Sequence, residues 1–284
     1  MFLLAILLSL VLEKLLPVLD RLRSIQWFLR FAGWLRGKLQ PGGSTRGTLA
    51  ALLIILLPTL AVAGVQAELD KVHWLFSFAL SLAVLIYSLG PHDLHRQVHA
   101  YLDAHARGDS ATAETVLADL LTELPEDEET RTQALVDAIL VQTHERVMAV
   151  FFWFVVLGPM GAILYRLTAE LIASRGEEDD PEFWTSVSVL HIILAWLPAH
   201  LAALGFAMVG SFTHALQAWR EAGPNHVSQR PICQRYVIRT GRAAMELEKA
   251  EGLDKIRETL GLCDRSLIAW VTVLSLLTLA GLVV

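Results

Sequence analysis

Long apolar runs separated by polar stretches dominate this chain. Five runs are long enough to cross a bilayer as helices, and a shorter one at the N terminus crosses only if it extends past Glu13 and Lys14. This N-terminal run has no signal-peptide cleavage site, so we expect it to be retained. The expected spans are residues 1–19, 49–66, 72–90, 147–167, 188–212 and 267–284. The pattern predicts an all-α polytopic membrane protein with five or six spans in the lipid bilayer.

The charges in the connecting segments predict how the spans are oriented. Residues 20–48 carry six basic residues against a single acid, Asp20, which places this segment in the cytoplasm by the positive-inside rule. Strict alternation then makes residues 91–146 and 213–266 cytoplasmic as well. It puts the acidic segment 168–187 outside. All the large loops are thus expected on the cytoplasmic side.

The polar segments themselves have a helical period. "TAETVLADLLTEL" and "TRTQALVDAILVQTHERV" each place leucines on one face, and the breaker "PEDEET" separates them. We therefore predict a cytoplasmic helical hairpin. In "IQWFLRFAGWLRGKLQPGG" aromatic residues alternate with arginines, which is typical of an interfacial amphipathic helix.

Composition narrows the possible functions. The chain is 54% hydrophobic with a net charge of −6, so it gives no electrostatic support to a nucleic-acid partner. Its two cysteines lack CxxC spacing. The GxxxxGK[ST], GxSxG and HExxH motifs are absent, which leaves a standard ATPase or hydrolase unsupported.

A group of histidines follows the third run. His92, His95, His99 and Asp103 share one face if the segment is helical. His95, His99 and Asp103 are weak candidates for a metal site. The alternative is the polar face of a helix leaving the bilayer. Because no second ligand pair supports a metal, we predict none, leave the cofactor unknown and keep His99 as a ligand-binding candidate.

Further polar residues lie where runs begin, bend or end. Glu145 and Arg146 are either functional or interfacial anchors. Pro159, with Gly158 and Gly161, is expected to kink the fourth run, and Pro198 leaves the Leu194 carbonyl without its helical donor. We predict no catalytic residue, but a ligand pocket that opens toward the cytoplasm. The pocket candidates are His99, Gln142, Glu145, Arg166, His191, His200 and Asn225.

A structural interpretation also exists for His191, His200 and Asn225. His191 and His200 are at membrane depth, where titratable groups mark function or hydrogen-bond a neighbouring helix. Asn225 belongs to a stretch typical of a plain turn. The predicted topology puts Arg166 near the outer face unless the kink at Pro159 shifts it.

The order of several stretches resembles the AmpE family across nearly the whole chain. These stretches are "HAYLDAHARGD", "FFWFVVLGPMGAILYRL", "WLPAHLAALGF" and the apolar ends. AmpE proteins are bacterial inner-membrane proteins associated with the regulation of β-lactamase induction. The resemblance implies a sensor or signal transducer, with a small-molecule ligand or a cytoplasmic signalling protein as its partner.

The same stretches resemble, more distantly, the CobD/CbiB family of cobalamin-pathway membrane enzymes. That family has "ENTSDG" where this chain has "VQTHER", and "GPxGAxxYRxxNTLD" where it has "GPMGAILYRLTAELI". Arg166 is kept, whereas Ala169 and Ile172 replace an Asn and an Asp. His200 replaces an arginine.

Loss of these polar groups favours a related fold with a retuned pocket. A synthase that attaches an aminopropanol unit by an amide bond is the alternative. A structural adaptor that uses the acidic hairpin is a third interpretation.

Overall fold

The computed structural model describes residues 2–15, 25–39, 44–89, 94–121, 124–175, 180–222, 231–245 and 252–280, and every regular element in these ranges is helical. The predicted all-α class is confirmed. The helices are α1 (Phe2–Leu15), α2 (Gln26–Leu39), α3 (Ser44–Val72), α4 (Trp74–Ser88), α5 (Leu94–Ala106), α6 (Ser110–Leu120), α7 (Glu128–Thr143), α8 (Ala149–Leu157), α9 (Pro159–Ala173), α10 (Pro181–Val209), α11 (Phe212–Glu221), α12 (Ile232–Ala244) and α13 (Leu253–Leu279). A π-helical turn, His144–Met148, joins α7 to α8.

Within the described ranges, four helical stretches are long and apolar enough to cross a membrane: Arg46–Val72, Glu128–Leu157, Pro181–Val209 and Leu253–Leu279. α1 and α4 are apolar but shorter. Large apolar side chains point out of the protein along these helices, with Leu60 59%, Ile193 63% and Leu276 62% exposed. Such faces are suited to lipid contact rather than to water. The protein is therefore a polytopic helical membrane protein.

The long helices extend beyond the apolar runs that predicted them. α3 begins before residue 49 and ends after residue 66, and α13 begins 14 residues before the predicted run at 267. Charged residues near a helix end can lie alongside apolar surface while their head groups reach water. Hydropathy therefore detects the middle of such a helix and misses its ends.

The chain folds into two compact units. Unit 1 comprises Met1–Pro91, Ala149–Leu197 and Leu277–Val284, and unit 2 comprises His92–Met148 and Pro198–Leu276. In unit 1, the apolar core is built by α2, α3, α9 and the start of α10. Phe28, Ile54, Leu167 and Phe183 are each at most 1% exposed within it.

The chain reverses direction at Gly158, which corrects the prediction of a single kinked span over residues 147–167. Gly158 has φ +66° and ψ −154°, a conformation that favours glycine, and Pro159 follows as the first residue of α9. Gly161 then lies against Trp153, so closely that a Cβ there would overlap the Trp153 carbonyl oxygen. Residues eight apart in a straight helix lie about 12 Å apart along the axis. α8 and α9 are therefore two short helices folded against each other.

Residues that the alternation assigned to opposite membrane faces are in contact within unit 1. The Thr48 and Ser186 hydroxyls are hydrogen-bonded at 2.9 Å, and the Arg36 guanidinium lies 4.5 Å from the centre of the Phe183 ring. Arg36 and Thr48 thus lie beside Phe183 and Ser186 at one end of unit 1. Because α8 and α9 fold back at Gly158, we expect these residues on the same side of the membrane, where strict alternation put them on opposite sides.

A tryptophan occupies the backbone acceptor that Pro198 releases. The Trp153 indole Nε1–H donates to the Leu194 carbonyl oxygen at 2.9 Å. Replacing Trp153 with phenylalanine removes this donor and leaves the carbonyl unsatisfied, which costs about 1–3 kcal/mol. We expect Trp153→Phe to lower the free energy of unfolding by that amount in detergent. An unchanged stability would mean that another donor takes over the carbonyl.

Unit 2 contains the predicted helical hairpin, formed by α6 and α7. Asp109 caps α6 by accepting from the Thr112 amide, and Asp127 caps α7 by accepting from the Thr130 amide. The Thr130 backbone amide and hydroxyl hold the pKa of the Asp127 carboxyl below its usual value. Gln142 then donates to the Leu120 carbonyl oxygen at 3.2 Å and joins the end of α7 to the end of α6.

α12 packs closely on the hairpin in unit 2. A Cβ at Gly241 would lie 2.7 Å from Leu140 Cδ2, so the two helices approach closely. Beside this contact, Arg242 donates from Nε to the Asp137 carboxylate at 2.6 Å, and Asp137 is only 7% exposed. The ion pair compensates the burial of this carboxylate. α12 thus packs against α7, next to the π-helical turn.

Candidate functional site

The predicted pocket residues fall into separate units. His99, Gln142, Glu145 and His200 belong to unit 2, whereas Arg166 and His191 belong to unit 1. Asn225 lies outside the described residues. Each group is therefore described within its own unit.

Glu145 lies in the π-helical turn between α7 and α8. Such turns are rare and often mark functional positions. Its carboxylate Oε1 accepts a hydrogen bond from Gln234 Nε2 on α12 at 3.0 Å. Burial raises the pKa of the neighbouring Cys233 thiol to about 11, and the Glu145 charge acts in the same direction. Cys233 is thus protonated at neutral pH and is a poor nucleophile.

His200, in the second part of α10, lies between two aromatic rings. The Tyr236 ring on α12 is 4.5 Å away between centroids, and the Trp219 ring on α11 is 5.9 Å away at a steep angle. These distances correspond to favourable aromatic contacts. Glu145 and His200, predicted as pocket residues, therefore both contact α12, at Gln234 and at Tyr236.

The histidine face on α5 is present but differs from a metal site. His99 is exposed, and His95 Nε2 lies 2.7 Å from Asp264 Oδ1 on α13. Among the residues that the structure describes, no group of three or more His, Cys, Asp and Glu side chains is arranged to hold a metal ion. His92 is outside the described ranges. The observed partner of His95 is thus a carboxylate on another helix.

Unit 1 holds a second polar cluster, around Arg166 on α9. Arg166 is 5% exposed and forms an ion pair with Glu170, one helical turn further on. Both charges act on the Tyr87 hydroxyl of α4, which accepts a hydrogen bond from Trp27 Nε1 on α2 at 2.6 Å. The cluster lies at the end of unit 1 that carries α2, not at the opposite end, which corrects the expected position of Arg166.

His191, on α10, contacts the residue that precedes Arg166 on α9. It is 8% exposed, and its ring is 5.6 Å from the ring of Tyr165, the neighbour of Arg166. A histidine buried among helices needs polar or aromatic partners, since an unsatisfied polar group there is costly. α9 therefore brings two of the predicted residues, Arg166 and His191, around one stretch of helix.

Sequence reasoning missed several partners in these clusters. Glu170 had a usable signal, because opposite charges four residues apart on a helix form pairs. Gln234, Tyr236 and Trp219 had none, since they are distant in sequence from Glu145 and His200. Only packing of α11 and α12 brings them there.

The two clusters present different polar groups. Unit 2 presents a carboxylate, an amide and an imidazole held between rings, while unit 1 presents a buried guanidinium with its carboxylate. These groups can accept and donate hydrogen bonds and attract charged ligands. In the described part of unit 2, the Glu145 cluster offers a thiol that is poorly suited to nucleophilic attack.

Comparison with known proteins places the chain in a family. Residues 2–231 match the family described as "CobD/Cbib protein". "Cobalamin biosynthesis protein CobD" of Chromobacterium violaceum is 29% identical over 185 residues, 63% of this chain and 57% of that protein. The protein of the same name from Stutzerimonas stutzeri is 29% identical over 225 residues, 76% of this chain and 72% of that protein.

A third relative has a different name. "Protein AmpE" of Shigella flexneri is 27% identical over 257 residues, 85% of this chain and 86% of that protein. No solved structure matches the chain. Since the family match covers most of the sequence, this chain belongs to the CobD/CbiB family of membrane proteins.

Proposed function

We propose that the chain is a bacterial inner-membrane regulator of the AmpE type. It modulates β-lactamase induction or the response to cell-wall stress by binding a small ligand or a cytoplasmic signalling protein. The pocket opens toward the cytoplasm, and Glu145 and His200 are its main polar residues.

One observation carries this proposal. Glu145 and His200 come from different elements, yet each contacts α12, through Gln234 and Tyr236. A ligand that competes for either contact changes the position of α12 relative to α7 or α10. A binding event is thereby converted into a helix movement, which a partner protein can detect.

The share of this chain that each alignment covers also supports the AmpE type over the CobD type. The alignment to "Protein AmpE" covers 85% of this chain, against 63% and 76% for the two CobD relatives. The stretch "VQTHER" also carries one carboxylate, Glu145, where the synthase pattern "ENTSDG" carries two. A pocket with fewer carboxylates is better suited to recognition than to positioning an amine and a metal-bound nucleotide.

Ligand binding is tested by thermal unfolding of the purified full-length chain in detergent. The probes are muropeptides, adenosylcobyric acid, nucleotide and Mg²⁺. At about 100 times the Kd, a muropeptide is expected to add about 2.7 kcal/mol and to raise the Tm by about 5 °C. Glu145→Gln keeps an oxygen that accepts from Gln234 but loses the charge, so we expect the muropeptide shift to disappear.

Glu114→Gln is the matched control for this experiment. Glu114 is exposed on α6 of the same unit, and its variant should bind like the wild type. If both variants retain the shift, Glu145 does not contact the ligand. If none of the probes shifts the Tm at any concentration, regulation through a small ligand is refuted and only regulation through a partner protein is left.

A second candidate function is a CobD-like synthase. It is favoured by the two relatives named "Cobalamin biosynthesis protein CobD". Incubation of the chain with adenosylcobyric acid, aminopropanol, nucleotide and Mg²⁺ decides between the two. Formation of the amide, abolished by Glu145→Gln, would establish the synthase and refute the sensor.

A further inference from the structure

Tryptophans and basic residues alternate along the exposed face of α2. Trp27, Arg30, Trp34 and Lys38 are all exposed, and they recur at the spacing of one helix face. Trp27 is 49% exposed and Trp34 55%. Tryptophans with this much exposure are unusual on a surface that faces only water.

The opposite face of α2 is fixed in the core of unit 1. Phe28 and Ala32 are 0% and 3% exposed, and Arg36 turns toward the Phe183 and Trp184 rings of α10. The helix therefore cannot rotate to bury its tryptophans. Apart from the Trp27 indole N–H, which donates to the Tyr87 hydroxyl, the face formed by Trp27, Arg30, Trp34 and Lys38 points away from the described protein.

All the charged residues of α2 are basic. Its sequence, "QWFLRFAGWLRGKL", holds three basic residues and no acid. On the exposed face, Lys38 Nζ lies 4.4 Å from the centre of the Trp34 ring, so this cation and this indole form one surface. The face is complementary to an apolar layer that carries negative charge.

α2 lies just before α3 in the chain, and the membrane-crossing length of α3 determines which part of the bilayer α2 contacts. α2 ends at Leu39 and α3 begins at Ser44, and Arg46–Val72 of α3 is long and apolar enough to cross a membrane. The five Cα–Cα steps from Leu39 to Ser44 reach at most about 18 Å. α2 therefore lies at the bilayer surface, where indole rings occupy the headgroup level and basic side chains attract anionic lipid.

From this placement we propose that Trp27, Arg30, Trp34 and Lys38 form a binding surface for anionic phospholipid headgroups. The indoles insert at the headgroup level, and Arg30 and Lys38 bind the phosphates. The protein thereby prefers phosphatidylglycerol to phosphatidylcholine around α2. This preference is independent of any ligand bound near Glu145.

Lipid preference is measured on the purified full-length chain in mixed micelles. Phosphatidylglycerol is expected to raise the Tm by several degrees more than the same amount of phosphatidylcholine. The double variant Arg30→Gln/Lys38→Gln should lose at least half of this difference. Added NaCl, at about 0.5 M, should reduce it in the wild type, because salt screens exposed charges.

Two further variants isolate the α2 surface. Arg107→Gln/Arg220→Gln removes two exposed cations elsewhere and should keep the full phosphatidylglycerol effect, although its net charge changes equally. Arg30→Lys/Lys38→Arg retains both positive charges and should retain the phosphatidylglycerol effect. This result would show that Arg30→Gln/Lys38→Gln loses the effect through its missing charges and not through a folding defect of α2. The proposal is overturned if the two Gln double variants lose the effect equally, or if neither loses it.

Discussion

Cysteines placed at Arg46 and Glu182 are expected to react with a membrane-impermeant maleimide from the same side of the membrane. Both side chains are exposed. They lie at the end of unit 1 where Thr48 bonds to Ser186 and where Gly47 approaches Phe183 and Asp180. The expected labelling is all or none, because the bilayer blocks the reagent from the other side.

A cysteine at Glu68 is the matched control for this labelling. Glu68 is exposed at the other end of α3, 22 residues after Arg46, which corresponds to about 33 Å along a helix and spans the hydrocarbon core. It should react only from the opposite side. The native Cys233 and Cys263 are buried and are replaced by alanine in the background. Labelling of Glu182→Cys together with Glu68→Cys would restore the alternating topology and contradict the chain reversal at Gly158.

Gly161→Ala is expected to be among the most destabilising single substitutions in the chain. The new Cβ would overlap the Trp153 carbonyl oxygen and lie 2.7 Å from Leu157 Cβ. Backbone atoms cannot move aside as a side chain can, so α8 and α9 must separate. We expect a loss of about 3 kcal/mol in the free energy of unfolding, at the upper end of overpacking costs. Denaturant unfolding in detergent measures it.

Gly64→Ala provides the control for this substitution. Gly64 lies inside α3, and a Cβ added there would meet no atom within 4 Å. Alanine there should be neutral or stabilise by about 0.5–1 kcal/mol, because it restricts the unfolded chain without a clash. Equal effects of the two substitutions would show that the close approach of α8 and α9 does not exist.

Local patterns predicted much of this molecule because they depend on neighbours in sequence. The alternation of arginines with Trp27, Phe28, Phe31, Trp34 and Leu35 predicted an amphipathic α2, and the leucines of α6 and α7 predicted a helical hairpin. The stretch around Glu145 was also identified as a candidate, since polar residues next to an apolar run are conspicuous in sequence. Its π-helical geometry was not predicted, because a π turn has no regular residue pattern.

The sequence by itself determined the helical class, the membrane environment and the family, because each rests on composition, period or the order of motifs. Only the tertiary structure decided that residues 147–167 fold back at Gly158, that Arg166 lies at the α2 end with Glu170, and that Glu145 and His200 both meet α12. Hydropathy counts apolar residues but does not record the direction in which the chain runs. A helical hairpin and a single membrane-spanning helix therefore give the same hydropathy profile. The difference is made by one backbone conformation at Gly158 and by contacts between residues far apart in the chain.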